Sequence, residues 1–579
     1  MIIKNDIFKT VSSLCILFCL ISFALEGQSV AAVAGHPKYP ADPGEKIRLF
    51  TDRVIYCVNE KVFFTAEYSC IEELESLSWS TVLYVELIRW NGTSITGSKL
   101  RLTGESTSAG IDIPGNIPSG NYYLRAYTKW MRNYPPDAYA YAEIKIVNPF
   151  RPDTDEGPSQ GDAADGVGTL TLFRKSLTDG ITCVSDKEAY KPGEQAEITV
   201  ELNGTNTAAI GSYCITVSKA GTSSITDNYA EAAADTGGDL PEYIEYLPEI
   251  RGIAISGQVT DRSDGLPLQG VPVSLSETRS GEYYATYKTD ERGRFVFTLP
   301  EMGRQHDFFV QTEVPSRINI DNGFCNRPVI LPFKAFEMSR DETDYVREVM
   351  VNQQITEKFY REKDMVADPV RKTESPQVFY GSKKSVYNIN KYIELPDVRE
   401  FIVELVLEAN IISDRDKNSV ISLRRPDGRY YPPLIFMDNI RVDASEQLLK
   451  VPLNRIERVE VINADYLVGS TQYYGIMSFY SVNRDFAGLN LNKNSLFFSY
   501  DLFSDAVPVS EFGSKPEDQR TPDRRNLLYW NPDIRLSAAG KTTISFTASD
   551  CTGDYEVIVR SKDHPDMEGI YGKCKFRVD

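Results

Sequence analysis

Histidine is scarce in this sequence, with three residues among 579, and no Cys-x-x-Cys spacing occurs. His36, His306 and His564 lie far apart, so a metal site built from several histidines is excluded, and a Ser-His-Asp or Cys-His site would have to be assembled between domains. Zinc-ribbon and thioredoxin-like sites find no support without closely spaced cysteines. We therefore expect a protein that is not an enzyme and that holds no metal or cofactor.

Positive net charge and long apolar runs are also lacking. The 82 acidic residues outnumber the 63 basic ones and give a net charge of −19, which disfavours nucleic acids and anionic lipid surfaces as partners. An apolar run from Val11 to Leu25 follows Lys4 and Lys9, but it is shorter than the roughly 20 residues that span a membrane. Residues 1–34 are therefore predicted to be a signal peptide, with no transmembrane helix after its cleavage.

Seven of the nine cysteines lie beyond the predicted signal peptide; six of them form three local couples, and Cys325 is left over. An oxidising compartment permits a disulfide within each couple. The alternative is that the cysteines are buried free thiols. The candidate disulfide residues are Cys57 with Cys70, Cys183 with Cys214, and Cys551 with Cys574.

Tyrosine and phenylalanine are abundant, with 33 and 27 residues, and both favour β-strands. An internal repeat indicates how these strands are grouped. The segment Asp52–Glu60 aligns with Asp186–Glu194 as an acid, a base, two variable residues, Tyr, three variable residues and Glu, and a strand-like run follows each copy. Because Pro192 and Gly193 form a strong turn signal, each copy is predicted to form a strand, a tight turn and a second strand that open a β-sandwich.

This repeat resembles the phrase that opens macroglobulin-type (MG2-like) domains of the α2-macroglobulin superfamily. The resemblance implies two such β-sandwiches, at residues 41–150 and 169–235. Cys57 and Asn59 depart from the turn residues of the family in the first copy. The Gly-Cys-Gly-Glu-Gln phrase of the thioester members is absent, so protease trapping through a thioester is not implied.

Three further phrases follow in order, at Ile255–Asp261, Leu266–Leu275 and Tyr284–Phe297. They alternate as strands do, and Asp290 to Gly293 reads as a hairpin turn. The set resembles the carboxypeptidase-regulatory-like domain and implies a small β-sandwich at residues 252–340. That module is the non-catalytic part of carboxypeptidases, so the resemblance brings no zinc site.

A helical linker is predicted at residues 341–384. Val351, Ile355 and Phe359 follow one another at intervals of four and therefore lie on one face of the helix. We expect this face to pack against the protein.

Residues 385–485 show a different order: an apolar strand ending in a turn, a short helix, a second strand and a third one after Tyr-Gly. This order resembles the plug domain of TonB-dependent outer-membrane receptors, with Asn439 in place of the usual Gly. The residues that carry the resemblance are Asp438, Asn439, Ile456, Glu457, Val459, Tyr474 and Gly475. A further β-sandwich is predicted at residues 490–579.

The predicted fold class is mainly β, a string of β-sandwich domains plus one α+β plug-like domain. The order of modules resembles large Bacteroidetes envelope proteins. A plug normally sits inside a 22-stranded barrel, and strands of about 9–11 residues would need ~220 residues. Only 99 residues follow Tyr480, so we expect this chain to dock on outer-membrane proteins, such as a separate β-barrel, rather than to build one.

The leading hypothesis is therefore a non-enzymatic, exported scaffold or accessory protein at the outer membrane, on its periplasmic side or at the cell surface. A second hypothesis is a surface protein that binds glycans or peptides for nutrient capture. This second hypothesis is based on a run of aromatic residues, which are Tyr122, Tyr123, Tyr127, Trp130 and Tyr134. The third is a hydrolase with an unrecognised pair of carboxylates.

Overall fold

The computed structural model describes most of the chain from residue 44 to residue 579. The described part has gaps at residues 71–78, 105, 158–168, 174–176, 204–211, 224–228, 233–243, 301, 303–304, 361–377, 382–383, 393, 414–416, 426–427, 444, 469–470, 505–521, 538 and 563–568. The predicted signal peptide, His36 and His564 lie outside the described residues.

The fold is mainly β, as predicted. The helices are α1 (Arg340–Tyr360), α2 (Val398–Leu405) and α3 (Ser445–Leu449). The strands are β1 (Glu45–Thr51), β2 (Ile55–Cys57), β3 (Lys61–Cys70), β4 (Val82–Ile88), β5 (Ser94–Arg101), β6 (Ser106–Asp112), β7 (Gly120–Thr128), β8 (Ala140–Val147), β9 (Leu172–Phe173), β10 (Thr178–Asp179), β11 (Ile181–Ser185), β12 (Ala189–Tyr190), β13 (Gln195–Leu202), β14 (Ser212–Lys219), β15 (Tyr229–Ala232), β16 (Ala254–Asp261), β17 (Pro272–Glu277), β18 (Tyr284–Lys288), β19 (Arg294–Thr298), β20 (Gln305–Thr312), β21 (Ser316–Ile320), β22 (Ser385–Asn388), β23 (Ala409–Ser413), β24 (Ser419–Arg424), β25 (Tyr430–Tyr431), β26 (Leu434–Met437), β27 (Ile440–Arg441), β28 (Ile456–Ile462), β29 (Tyr466–Val468), β30 (Thr471–Tyr473), β31 (Ile476–Ser481), β32 (Ser495–Asp501), β33 (Leu527–Arg535), β34 (Lys541–Thr547), β35 (Gly553–Ser561) and β36 (Ile570–Val578).

The described chain divides into two compact units. The double-sandwich unit comprises residues 44–252, 324–360 and 503–579, and the inserted unit comprises residues 253–323 and 378–502. The chain passes from one unit to the other four times.

The first sandwich of the double-sandwich unit is formed by residues 45–147. One sheet has the order β1-β3-β6, and the other runs β5-β4-β7-β8-β15-β9, with β2 parallel to β8. The alternation of β1 turns Ile47 and Leu49 inward, whereas β4 is buried along its whole length. At its centre Glu86 and Arg125 form an ion pair of 2.6 Å, with neither side chain exposed.

The aromatic run of β7 and the turn after it belongs to the core of this sandwich. Tyr122, Tyr123, Tyr127, Trp130 and Tyr134 are each at most 9% exposed. Their rings pack on one another, for instance Trp130 on Tyr134 at 6.1 Å. The aromatic run that motivates the glycan hypothesis is therefore buried, and it offers no binding surface.

The strand pairing of the second sandwich shows that two of the predicted domain boundaries are wrong. Sequence analysis placed residues 169–235 and 490–579 in two separate sandwiches, but β14 lies between β33 and β35, and β13 pairs with both β11 and β34. Their inward side chains form one core. Residues 178–219 and 527–578 form a single domain, because β11 and β13 alone make a two-stranded ribbon that cannot cover a core. β9 and β15 instead join the first sandwich, and β32 pairs with β20 of the inserted unit.

The first copy of the repeat forms a buried clasp of side chains around a tight turn. The carboxylate of Asp52 accepts hydrogen bonds from the Tyr56 hydroxyl (2.7 Å) and from the backbone N–H of Phe63 (3.0 Å). Arg53 is paired with Glu60 at 3.1 Å, and Glu60 in turn accepts the backbone N–H at the start of the turn at 2.6 Å. The clasp joins β2 to β3.

The second copy repeats this clasp with the corresponding residues. Asp186 accepts hydrogen bonds from the Tyr190 hydroxyl and from the N–H of Glu197 (2.9 Å). Lys187 is paired with Glu194 at 2.6 Å, and Glu194 accepts a backbone N–H of the turn at 2.8 Å. The repeat in sequence is thus a repeat in structure, and the spacing that the two copies share serves the fold.

Comparing the two clasps gives a matched prediction. Asp52→Asn is expected to lower the free energy of unfolding of the double-sandwich unit by about 2 kcal/mol, because the carboxylate is buried and accepts from several donors. Asp186→Asn is expected to cost much less, because Asp186 is exposed. Urea unfolding followed by tryptophan fluorescence measures both, since all four tryptophans lie in this unit. Equal losses for the two variants would contradict the burial argument.

A helix is present in the predicted region as α1, which ends at Tyr360, and residues 361–377 of the predicted linker lie outside the described residues. The buried face of α1 differs from the predicted one. Tyr345 and Val349 pack against the first sandwich, whereas Val351 is 56% exposed. The side chains of Ile355 and Phe359 lie outside the described residues. Val351 follows the buried Val349 by two residues and therefore points to a different side of the helix. The predicted face, which was counted from Val351 in intervals of four, is for this reason not the buried one.

The inserted unit combines a small sandwich with an α+β part. The small sandwich has the sheets β19-β16-β21 and β18-β17-β20-β32. The α+β part has a sheet of order β22-β28-β31-β26-β27, in which β26 and β31 are parallel, and α2 and α3 contribute to its core. A shared aromatic core, in which Tyr284 contacts Phe436 at 4.9 Å, joins the two parts. Residues 253–323 and 385–485, which were predicted to lie in separate domains, therefore fold together, whereas residues 324–340 of the first predicted domain belong to the double-sandwich unit.

The structure contradicts the three candidate disulfides, since all seven cysteines of the described residues are free thiols. Cys57 and Cys70 lie near opposite ends of β3. A strand of this length keeps them roughly 30 Å apart, whereas a disulfide needs Cα atoms within about 7 Å.

The other two couples fail because their members face different surroundings. Cys183 points into the core of the second sandwich, whereas the Sγ of Cys214 accepts a hydrogen bond from Trp530 (3.3 Å) on the opposite face of β14. Cys551 accepts a hydrogen bond from a side-chain amide of α1, whereas Cys574 packs against the sandwich core. Burial raises the pKa of the Cys574 thiol to about 11.

No helix in the described part of the chain combines the length and the apolar character that a membrane span requires.

Candidate functional site

The inserted unit contains a cleft of about 880 Å³. Five stretches of chain meet there: the loop between β17 and β18, the segment before β22, the β26–β27 turn, β28, and the stretch from β31 to β32. The lining residues are Thr278, Arg279, Ser280, Val378, Gly381, Lys384, Asp438, Asn439, Arg458, Tyr480, Arg484, Phe486 and Phe497.

The β26–β27 turn brings two of the predicted motif residues into this cleft. Asp438 and Asn439 have φ angles of 47° and 69°, as a two-residue hairpin turn of the primed type requires. Asparagine tolerates this region of backbone space, which explains why Asn439 can replace the expected glycine. The carboxylate of Asp438 accepts the N–H groups of Ser481 (2.8 Å) and Phe486 (2.9 Å), so it holds the turn to the end of β31.

The loop between β17 and β18 is shaped by a buried carboxylate. Glu277 accepts hydrogen bonds from the Ser280 hydroxyl (2.7 Å) and from the N–H groups of Arg279 (2.9 Å) and Gly281 (2.7 Å). Burial acts to raise the pKa of Glu277, but these donors outweigh it and lower the pKa below its usual value. The side chain of Asn439 donates to the carbonyl of Thr278 at 3.2 Å and links this loop to the turn.

A pH-dependent prediction follows from Glu277. Its lowered pKa means that the carboxylate stabilises the folded loop above the pKa of the unfolded chain, and that this contribution is lost as the pH falls through the folded pKa. Glu277→Gln is expected to destabilise the loop by about 2 kcal/mol at pH 7 and by much less at pH 3. Hydrogen exchange of a peptide covering residues 272–288 measures this at both pH values. An unchanged difference between variant and parent would contradict the role of Glu277.

A second buried carboxylate anchors two cations of the cleft. Glu460 pairs with Lys384 at 2.6 Å and with Arg458 at 3.2 Å, and it accepts the hydroxyl of Tyr380 at 2.8 Å. Burial acts to raise the pKa of Glu460, but Lys384 and Tyr380 lower it. The carboxylate of Glu460 therefore holds Lys384 and Arg458 in position at the wall of the cleft.

An aromatic ring separates the two arginines of the cleft wall. Arg458 and Tyr480 are direct partners in the register of β28 and β31, and the guanidinium lies 3.8 Å from the ring centre. Arg484 contacts the same ring at 4.9 Å. Such cation–π contacts fix the position of both guanidinium groups.

The structure places the predicted motif residues in three locations. Asp438 and Asn439 line the cleft, and Glu457 accepts a hydrogen bond from Arg484 at 3.0 Å beside it. The motif residues Ile456 and Val459 lie in the core of the α+β part.

Tyr474 and Gly475 lie at the start of β31, away from the cleft. Tyr474 stacks on Tyr431 at 4.5 Å, and Gly475 has a φ of 122° and accepts the N–H of Leu434 at 2.9 Å. A side chain at Gly475 would meet the carbonyl of Ile462 at 2.7 Å, which explains the glycine.

Sequence analysis missed the cations and the tyrosine of the cleft: Arg279, Lys384, Arg458, Arg484 and Tyr480. They come from separate segments, and charged residues are common in this chain. In the described residues, no group of three or more His, Cys, Asp or Glu side chains is arranged to hold a metal ion.

Comparisons with known proteins give matches to solved structures alone, since no family model and no curated protein matches. Trypsin-activated α2-macroglobulin from Escherichia coli is 8% identical, with a TM-score of 0.20 over 94% of this chain and 42% of that one. Salmonella α2-macroglobulin reacted with methylamine is 9% identical, with a TM-score of 0.21 over 95% and 40%. Dimeric latent PorU from Porphyromonas gingivalis is 9% identical, with a TM-score of 0.15 over 50% and 34%. The chain spans less than half the length of these macroglobulins.

Proposed function

We propose that this chain is a non-enzymatic, exported scaffold or binding protein of a bacterial cell envelope. In this proposal the inserted unit presents its α+β, plug-like part to a protein of the outer membrane, such as a separate β-barrel. The observation that carries the proposal is the cleft, because its guanidinium and aromatic groups are of the kinds enriched where proteins recognise other proteins.

The connectivity of the chain supports the role of a scaffold. Ser218 of β14 is the direct partner of Leu527 of β33, and the N–H of Lys219 donates to the carbonyl of Asn526 at 3.0 Å. The stretch that contains the inserted unit therefore leaves and re-enters the second sandwich at adjacent positions of one sheet. The second sandwich can therefore close around a long stretch of chain that contains β15, α1 and the inserted unit.

The two alternative functions have less support. The hypothesis of glycan binding loses its supporting observation, because the aromatic residues of β7 and of the turn after it are buried. A hydrolase with two carboxylates is not favoured by this cleft, whose lining carboxylate is Asp438, because the oxygens of Asp438 already accept backbone N–H groups.

Co-purification tests the proposal. The tagged full-length chain is expressed in its own bacterium, the outer membrane is solubilised in detergent, and bound proteins are identified by mass spectrometry. Phe497→Glu changes an exposed side chain of the cleft and is expected to abolish recovery of the partner, whereas Val184→Glu changes an exposed residue of the second sandwich and is expected to leave it intact. Recovery of the parent chain as a lone monomer, or absence of the chain from the outer-membrane fraction, would overturn the proposal.

A further inference from the structure

The sheet β18-β17-β20-β32 of the inserted unit has β32 at one edge, and no strand of the described residues lies beyond it. The N–H of Thr312 donates to the carbonyl of Asn494 at 3.0 Å, which fixes the phase of the antiparallel ladder between β20 and β32. Every second residue from Asn494 onwards therefore bonds to β20. The residues between them, Ser495, Phe497 and Ser499, turn their backbone N–H and C=O groups outward, where no described residue accepts or donates a hydrogen bond.

The open edge of β32 lacks the features that usually protect such an edge from pairing with another chain. Lysine, proline, a bulge or a short strand are the common forms of protection. β32 is seven residues long, contains no Lys, Arg or Pro, and pairs with β20 without a bulge. Leu496 and Phe497 are 37% and 56% exposed. At the opposite edge of the sheet, by contrast, the Thr286 hydroxyl of β18 donates to the carbonyl of Val468 at 3.2 Å, so another segment covers that strand.

We propose that β32 pairs antiparallel with β32 of a second copy of this chain, with the two-fold axis at Phe497. A two-fold interface brings the same strand of both copies together, so the strand has to be complementary to itself. In this register Ser495 lies opposite Ser499 of the second copy, and Leu496 lies opposite Phe498 of the second copy. Hydroxyl groups thus meet hydroxyl groups, and apolar side chains meet apolar ones. The outward N–H and C=O groups of each strand bond to those of the other.

The charges at the two ends of the strand favour this register over its neighbours. Lys493, two residues before β32, comes to lie opposite Asp501 of the second copy, and the same pair forms at the other end of the ladder. Both residues are exposed, and Lys493 has no ion pair among the described residues. Moving the axis to residue 498 would place Phe497 opposite Ser499 and would separate the two charges. Opposite charges across a strand pair stabilise it and like charges destabilise it, so the axis at Phe497 is preferred.

Sedimentation velocity of the purified full-length chain at low salt tests this inference, which does not depend on the proposed function. We expect a monomer–dimer equilibrium in which the dimer fraction rises with concentration. Lys493→Glu and Asp501→Lys each place like charges opposite one another at both ends of the ladder. Each variant alone is expected to raise the dissociation constant of the dimer about tenfold. Lys288→Glu changes an exposed residue of β18, at the opposite edge of the sheet, and should dimerise as the parent does.

An equal mixture of the two single variants is the control for their folding and for the register. In a mixed dimer the new glutamate of one chain faces the new lysine of the other, and the native Lys493 and Asp501 face each other at the second end. The mixture is therefore expected to dimerise with the affinity of the parent, although neither variant does so alone.

Three results would overturn the inference. A parent chain that stays monomeric at every concentration would leave the edge of β32 to a strand of another protein. Single variants that dimerise as strongly as the parent would show that the copies meet through another surface. A mixture that dimerises as weakly as the single variants would show that Lys493 and Asp501 do not face each other across the two-fold axis.

Discussion

A chain that stops at Leu502 is expected to lose its second sandwich, although residues 178–219 are still present. Residues 528–578 supply 11 of the 20 described buried side chains in that core, and β14 loses both of its neighbours, β33 and β35, without them. Amide protection across β11, β13 and β14 should fall by roughly a thousandfold or more, because these strands then exchange as unfolded chain. Hydrogen exchange with mass spectrometry measures this directly.

The inserted unit is the internal control for this truncation. Residues 398–405 and 456–481 have their own core, so their protection should be the same in the shortened and the full-length chain. A separate fragment of residues 503–579, added to the shortened chain, should restore protection of β13 and β14. Protection of these strands without the fragment would show that residues 169–235 fold alone, contrary to the strand pairing.

Arg125→Met is expected to destabilise the double-sandwich unit by about 3–5 kcal/mol, because it leaves the charge of Glu86 buried without its partner. Glu86 accepts from Arg125 at 2.6 Å and from the Tyr127 hydroxyl at 2.6 Å, and neither member of the ion pair is exposed. Urea unfolding followed by tryptophan fluorescence gives the free energy of unfolding of this unit.

The double variant Glu86→Leu/Arg125→Met separates loss of the pair from loss of packing. Replacing both partners of a buried ion pair by apolar side chains of similar size is often nearly neutral, so most of the lost stability should return. A double variant as unstable as Arg125→Met would contradict the account, since the loss would then come from packing and not from an unpaired charge.

Local features of this fold could be predicted from the sequence because their partners lie a few residues apart. In the first clasp Arg53 pairs with Glu60 across one turn, and in the second Lys187 pairs with Glu194, so equal spacing in the sequence produces similar geometry. The turn at Asp438 and Asn439 was recognised for the same reason.

Long-range features could not be predicted, because the alternation of residues along a strand does not indicate which other strand pairs with it. β14 pairs with β33 across some 300 residues, and the alternation of either strand fits many sheets. The same limit explains why the disulfide predictions are wrong. Cys183 and Cys214 are close in sequence, but Cys183 faces the core of the second sandwich and Cys214 lies in a separate cluster. The cleft is a further case, because Arg458 meets Tyr480 through the register of β28 and β31.

Site-specific photo-crosslinking in living cells tests the central claim, that the cleft-bearing inserted unit contacts an outer-membrane partner. A photoreactive amino acid replaces Phe497 in the cleft or Val184 in the second sandwich, both of which are more than half exposed. We predict an adduct with an outer-membrane protein from position 497 and none from position 184. Adducts from position 184 alone, or from neither position in a chain that reaches the envelope, would contradict the claim.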